Sequence, residues 1–175
     1  MNRLRVLLVD DEIMIREGFK KLFNWEEHDC QVIDEAADGA QALNKIDSLV
    51  PDLVIMDINL PLINGLKVIQ QAKARHPDMA FIIVSGYDDF AWCREALRLQ
   101  ITDYILKPVD YEEFGHCIDS LKISLFENRV SHQETHHGEP RPILKITSFL
   151  QEHLSEEISL SLLSQQFHLN PQYIS

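Results

Sequence analysis

Short β-rich apolar runs alternate five times with longer stretches in which apolar residues recur every three or four positions. That alternation leaves few folds open. The runs lie at residues 5–9, 31–34, 53–56, 80–84 and 104–106. Between them fall the helical sets Ile13, Phe19, Leu22, Phe23; Ala40, Leu43, Ile46, Leu49; Leu66, Val68, Ile69, Ala72; Ala91, Ala96, Leu97; and Phe114, Ile118, Leu121, Leu125. Repeated strand–helix alternation implies a doubly wound α/β fold: a five-stranded parallel sheet, (βα)5, with helices on both faces. Three of the runs are almost wholly apolar, as strands covered on both sides must be.

The pattern stops after residue 127. Residues 128–142, NRVSHQETHHGEPRP, are polar, hold two prolines and a glycine, and read as a linker. Helical spacing returns at Ile143, Ile146, Phe149, Leu150 and Leu154, and a second helix is expected near 160–167. Pro171 suits the first turn of a third helix, only four residues before the last. The expected organisation is a domain at 1–127, a linker at 128–142 and a short all-α segment at 143–175.

Charge excludes some functions. Residues 1–127 hold 13 basic and 23 acidic side chains, leaving −10, and residues 128–175 hold 3 and 5, leaving −2. Neither part offers the basic footprint that binds nucleic acid broadly. The longest apolar run has six residues, against the roughly 20 a membrane span needs, and no secretory leader is evident. A cytoplasmic protein without membrane contact is expected. The three cysteines, Cys30, Cys93 and Cys117, form no CxxC pair and suggest neither a disulfide framework nor a zinc site.

In such a fold, ligands bind beyond the carboxyl ends of the strands, where strand order reverses. The first strand delivers Asp10-Asp11-Glu12 to that edge, the third Asp57, the fourth Ser85-Gly86, and the fifth Lys107-Pro108. Clustered carboxylates repel one another unless a cation intervenes. Oxygen donors without imidazole or thiol favour a hard cation, Mg²⁺ or Mn²⁺, of the kind that accompanies phosphate. Lys107 and Ser85 suit an incoming phosphoryl group, and a carboxylate can serve as its nucleophile, with Asp57 the candidate. Singly, each residue has a plainer explanation: an Asp after a strand is commonly a turn residue, and acids commonly open helices. It is the joint occurrence at four strand ends that points to a site.

The segments VLLVDDE, VIMDINLPLING, IIVSGYDDF and DYILKPV, in that order, resemble the receiver domain of bacterial two-component response regulators, the CheY-like family. The resemblance spans about residues 1–127. It implies that Asp57 is the phospho-acceptor, that Asp11 ligates the metal directly, and that Asp10 holds it mostly through water. It gives Asn59 a backbone-carbonyl ligand and assigns Ser85 and Lys107 to the phosphate. Ser85 and Tyr104 are the implied switch pair, and Pro108 the proline after a cis bond. A sensor histidine kinase is the implied phosphodonor and a phosphorylation-dependent homodimer the implied output state. Asn64 departs from the common Asp before Gly65, and Leu60-Pro61 from a common Met-Pro.

The stretch SGYDDFAWCREALRLQITDYILKPV is similar in particular to the YesN-like subgroup, and residues 143–175 resemble the start of an AraC-type helix-turn-helix domain. The implied function is transcription regulation, with DNA read only by a complete output domain. That domain would be incomplete here, so this chain is expected not to bind DNA specifically.

Two other classes stay open at this level. One is a Mg²⁺-dependent phosphatase with an aspartyl nucleophile, whose usual DxD after the first strand is absent from Asp10-Asp11-Glu12. The other is an interaction module that is never phosphorylated. Glu12 is expected to face the first helix. His132, His136 and His137 read as solvated linker, and Trp25 and Trp92 as either interaction anchors or one-sided packing.

Overall fold

The computed structural model describes residues 3–86 and 90–131, with side chains at 3–86 and 92–125. The chain divides into two units, Met1–Arg129 and Val130–Ser175, and nearly all described residues belong to the first. The remaining linker and the segment at 143–175, with their histidines and expected helices, lie outside the described residues.

The elements run β1 (Leu4–Val9), α1 (Ile13–Leu22), β2 (Cys30–Ala36), α2 (Gly39–Leu49), β3 (Leu53–Met56), α3 (Gly65–Arg75), β4 (Ala80–Ser85), α4 (Phe90–Arg98), β5 (Asp103–Leu106) and α5 (Tyr111–Ser131). The five strands form one sheet in the order β2-β1-β3-β4-β5, and all four pairings are parallel. The expected doubly wound fold is thus present.

Strand alternation divides the core between the two sheet faces. Leu7, Val9, Val54, Met56, Phe81 and Ile83 bury against α2, α3 and α4. Val6, Leu8, Leu53, Ile55, Ile82 and Ile105 bury against α1 and α5. Fully burying such side chains is worth about 1.5–3 kcal/mol each before chain entropy is counted. Phe114, Ile118 and Leu121 of α5 belong to the second cluster, with Cys117 and Leu125 packed against it. Trp25 is buried there too: its indole N–H donates to the Phe19 carbonyl at 2.8 Å and its ring meets Phe23 edge-on at 4.7 Å. Trp92 is half-buried against the other cluster.

Side-chain oxygens open three helices. Asp38 accepts from the Gln41 N–H at 2.8 Å, Asn64 from Leu66 at 2.9 Å, and Asp110 from Glu112 at 2.9 Å.

Two expectations need correction. Ile13 and Leu22 were expected on the buried stripe of α1, yet they are 62% and 70% exposed. The helix has only ten residues, and its inward positions are taken by Phe19 and by Arg16, a charged residue. Helix α5 also continues through Ser131, four residues into the stretch read as linker. Backbone hydrogen bonding carries it past the end of its apolar pattern.

Candidate functional site

Register brings the acids together. Val9 of β1 pairs with Met56 of β3, so Asp10 and Asp57 follow side by side at the carboxyl edge. This is the switch point, where the chain has run from β1 outward to β2 and returned to β3 on the other side. Ser85 pairs with Leu106 in the same way, which sets Lys107 one step beyond.

Asp10 and Asp57 are each only 5% exposed, and Ser85 is fully buried. Asp11 is exposed at the mouth, as is Asn59, whose backbone N–H donates to Asp57 Oδ2 at 2.9 Å. The Lys107 Nζ stands 2.8 Å from Asp10 Oδ2, 3.4 Å from Asp57 Oδ1 and 3.4 Å from Glu12 Oε1. The Lys107–Pro108 peptide bond is cis. Tyr104 is half-buried; its hydroxyl is hydrogen-bonded to Ser85 and to Cys93 of α4.

Glu12 differs from expectation. It stands at the N-cap of α1 but makes no side-chain cap bond, and its carboxylate reaches Lys107 instead. The attraction of an ammonium shared with two buried carboxylates exceeds what a solvent-exposed cap would return.

The electrostatics follow from burial. Desolvation pushes Asp10 above the ordinary carboxylate range, against the opposing pull of Lys107. It does the same to Asp57, where the neighbouring Asp10 charge adds to the rise. Burial pulls Lys107 down, but its bond to Asp10 and the charges of Asp57, Asp10 and Glu12 outweigh this, and its pKa is raised. Burial moves the Tyr104 phenol up to about 12. Two buried anions with one ammonium between them leave the pocket short of positive charge.

Among the described residues, no three carboxylate, imidazole or thiol groups stand together as a finished coordination shell. The donor set still fits a hard cation. It is oxygen only and anionic, with Asp10 and Asp57 out of water and Asp11 and Asn59 at the exposed mouth, and Lys107 already stands between the two buried acids as a counter-charge.

Glycines at two helix starts brace the β3–α3 loop. A Cβ on Gly65 would stand 2.1 Å from the Asp57 carbonyl oxygen, and one on Gly39 would stand 2.1 Å from that of Ile63. The Gly65 N–H also donates to Ile58 at 2.9 Å, and the Gly39 N–H to Pro61 at 3.2 Å. Sequence reasoning missed these contacts, because neither the path of a loop folding back on itself nor its approach to another helix start has a local signal. It also missed Arg16, which did have one: a charged residue in register with Phe19 on the inward face of α1.

Comparison with known proteins agrees with this geometry. Residues 6–119 match the model of the response regulator receiver domain. An uncharacterized response regulatory protein of Staphylococcus epidermidis is 37% identical over 144 residues, covering 81% of this chain and 57% of that protein. The transcriptional regulatory protein HptR of Staphylococcus aureus is 34% identical over 145 residues, with the same coverage. The chain therefore spans a little over half the length of these curated relatives. Among solved structures, the REC domain of AraT, a response regulator from Geobacillus stearothermophilus, is 34% identical with a TM-score of 0.69, covering 74% of this chain and 99% of that one.

Proposed function

The chain belongs to the response regulator receiver domain family, and from that premise we propose that it accepts a phosphoryl group on Asp57 from a sensor histidine kinase and so controls a transcriptional output domain. The observation that carries the reading is the placement of Asp57. It is buried at the switch point, with Oδ1 3.4 Å from Lys107 and Oδ2 held by the Asn59 N–H. Oδ1 is the oxygen turned toward positive charge.

In the proposed step, a carboxylate oxygen of Asp57 attacks phosphorus and forms a P–O bond. The P–N bond to the donor histidine breaks, its electron pair stays on nitrogen, and a proton from solvent restores the neutral imidazole. Lys107 neutralises charge on the phosphoryl oxygens, and the Ser85 hydroxyl donates a hydrogen bond to one of them. A bound Mg²⁺ or Mn²⁺ adds Lewis-acid stabilisation of the same oxygens. Asp11, Asp57 and the backbone carbonyl of Asn59 would hold it directly, and Asp10 through water. The chain would catalyse its own phosphorylation and dephosphorylation rather than turn over an independent substrate.

The hydrogen-bonded contact between Ser85 and Tyr104 supports a switch that runs from the acceptor to α4 and β5. The reading extends to a phosphorylation-dependent homodimer. It also assigns residues 143–175 to the opening of an AraC-type domain of the YesN-like subgroup, a reading that rests on sequence. DNA would then be read by the complete output domain and not by this chain alone.

Incubation with acetyl phosphate and Mg²⁺, followed by intact-mass measurement, tests the reading. The chain should gain one phosphoryl group and Asp57→Asn none. An equal gain at the same rate in the variant would refute the assignment. Phosphodiester or phosphomonoester turnover with a burst would favour the phosphatase class instead. In a gel-shift at moderate salt, a sequence-specific DNA complex of this chain would overturn the reading of its tail.

A further inference from the structure

Arg16 is the buried charge that the phosphorylation chemistry leaves unused. It lies on α1, is 8% exposed, and shares the inward face of that helix with Phe19. Its Nη1 donates to the backbone carbonyl of Asp10 at 2.6 Å. Its Nε faces Glu35 Oε2 of β2 at 3.5 Å, and Lys20 Nζ meets the same oxygen at 2.9 Å. The Arg16–Glu35 approach is an ion contact without hydrogen-bond geometry: Arg16 Nε is buried without a matched acceptor, while Glu35 Oε2 is held by Lys20.

Stability alone does not call for this arrangement. Burying a guanidinium and leaving one of its donors unmatched costs free energy, and an apolar side chain of similar length would suit the same stripe at least as well. The return lies at Asp10. Its N–H donates to Ala36 at 3.1 Å, its carbonyl accepts from Arg16, Oδ1 accepts from the Glu12 N–H at 2.9 Å, and Oδ2 meets Lys107 at 2.8 Å. Every polar atom of Asp10 is therefore held. The Arg16 bond is the one that fixes the peptide plane from which the β1–α1 loop departs toward the rim. A guanidinium fork does this with a set direction, which an ammonium on a flexible stem does not.

We propose that Arg16, oriented by Glu35, is a positioning residue that aims the Asp10 carboxylate for divalent-cation binding. The inference rests on the reading that Asp10 belongs to the cation site. Groups that hold a metal-site residue from behind commonly contribute about 10–100-fold in affinity.

The test uses the full 175-residue chain with Mg²⁺ as the probe, read by calorimetry at a temperature where every variant is folded. Arg16→Met should raise the Mg²⁺ Kd at least about tenfold. Arg16→Lys, which keeps the charge and loses the fork, should raise it at least about threefold. Ile118→Val, a core change under α5, controls for loosening and should leave the Kd within about twofold. In the metal-free chain, Arg16→Met should also speed hydrogen exchange of the Glu12 amide, which Asp10 Oδ1 accepts, by about tenfold. If Arg16→Met does not fold, Arg16→Lys carries both measurements. A Kd within twofold of wild type in the folded Arg16 variants, or an equal rise in Ile118→Val, overturns the proposal. A wild-type chain that binds no Mg²⁺ fails the functional reading itself, whereas a wild type that binds normally beside an unaffected Arg16 variant fails this inference alone.

Discussion

The ammonium of Lys107 lies closer to Asp10, at 2.8 Å, than to Asp57, the proposed acceptor, at 3.4 Å. Lys107 is therefore first a counter-ion of Asp10 and only second a neighbour of the proposed nucleophile. It competes with any cation that enters between the same carboxylates. Lys107→Met should tighten Mg²⁺ about three- to tenfold, the order that removing one partly screened positive charge carries. The same change should slow phosphorylation by acetyl phosphate at saturating Mg²⁺ by at least about tenfold, because charge on the phosphoryl oxygens goes unneutralised. Calorimetry and intact-mass time courses measure the two effects. Weaker Mg²⁺ binding in the variant would contradict this account.

Gly65 and Gly86 flank the site but differ in what surrounds them. A Cβ on Gly65 would meet the Asp57 carbonyl oxygen at 2.1 Å, while one on Gly86 would meet nothing within 4 Å. Gly65→Ala must push α3 or the Asp57 backbone aside. It should cost about 1–3 kcal/mol and slow phosphorylation. Gly86→Ala should stay within about 0.5 kcal/mol of wild type. Denaturant midpoints and acetyl phosphate rates on both variants decide the matter, and equal behaviour would count against the close packing.

Asp103 offers a pH test away from the acid pocket. Burial raises its pKa, opposed by the Cys117 thiol, which donates to it, and by the Tyr104 N–H at 2.8 Å. An acid with a raised folded-state pKa binds its proton more tightly when folded. Its contribution to stability is then complete below the unfolded value, about 3.9, and is lost as pH rises through the higher folded value. Asp103→Asn should remove this loss. The stability difference between variant and wild type should shift in the variant's favour as pH climbs from about 4 to neutrality. Denaturant curves across that range check the sign, and a flat difference would contradict it.

Among the described side chains, α5 contributes to the core up to Leu125. Ile118 and Leu121 are buried and Leu125 packs against them. Removing residues 132–175 should therefore leave the melting transition of the first unit within about 2 °C and its phosphorylation intact. Removing residues 118–175 should cost more than about 3 kcal/mol, since two buried aliphatic side chains leave the cluster. Thermal melts of both truncations make the comparison, and a shorter chain as stable as the longer one would refute it.

How much of this was legible in one dimension follows from the range of each interaction. The five strands and their helices could be read from residues 1–127, because apolar period is a local property repeated at every element. The rim residues could be listed because a parallel sheet sends all its strand ends to one edge, so Asp10, Asp57, Ser85 and Lys107 needed only the topology to meet. Other features were decided by tertiary structure alone. The one-step register between Val9 and Met56 made neighbours of two acids 47 positions apart. The pull of a shared ammonium drew Glu12 away from its helix. Arg16 came to rest under the Asp10 carbonyl where apolar spacing called for a hydrophobe, and Gly65 against the Asp57 backbone where nothing in the neighbouring residues marked a contact. The first two depend on segments remote in the chain, and the Arg16 and Gly65 contacts on how a loop turns back over the end of its own strand. Those arrangements exist only once two sheet faces have been packed, and no local period encodes them.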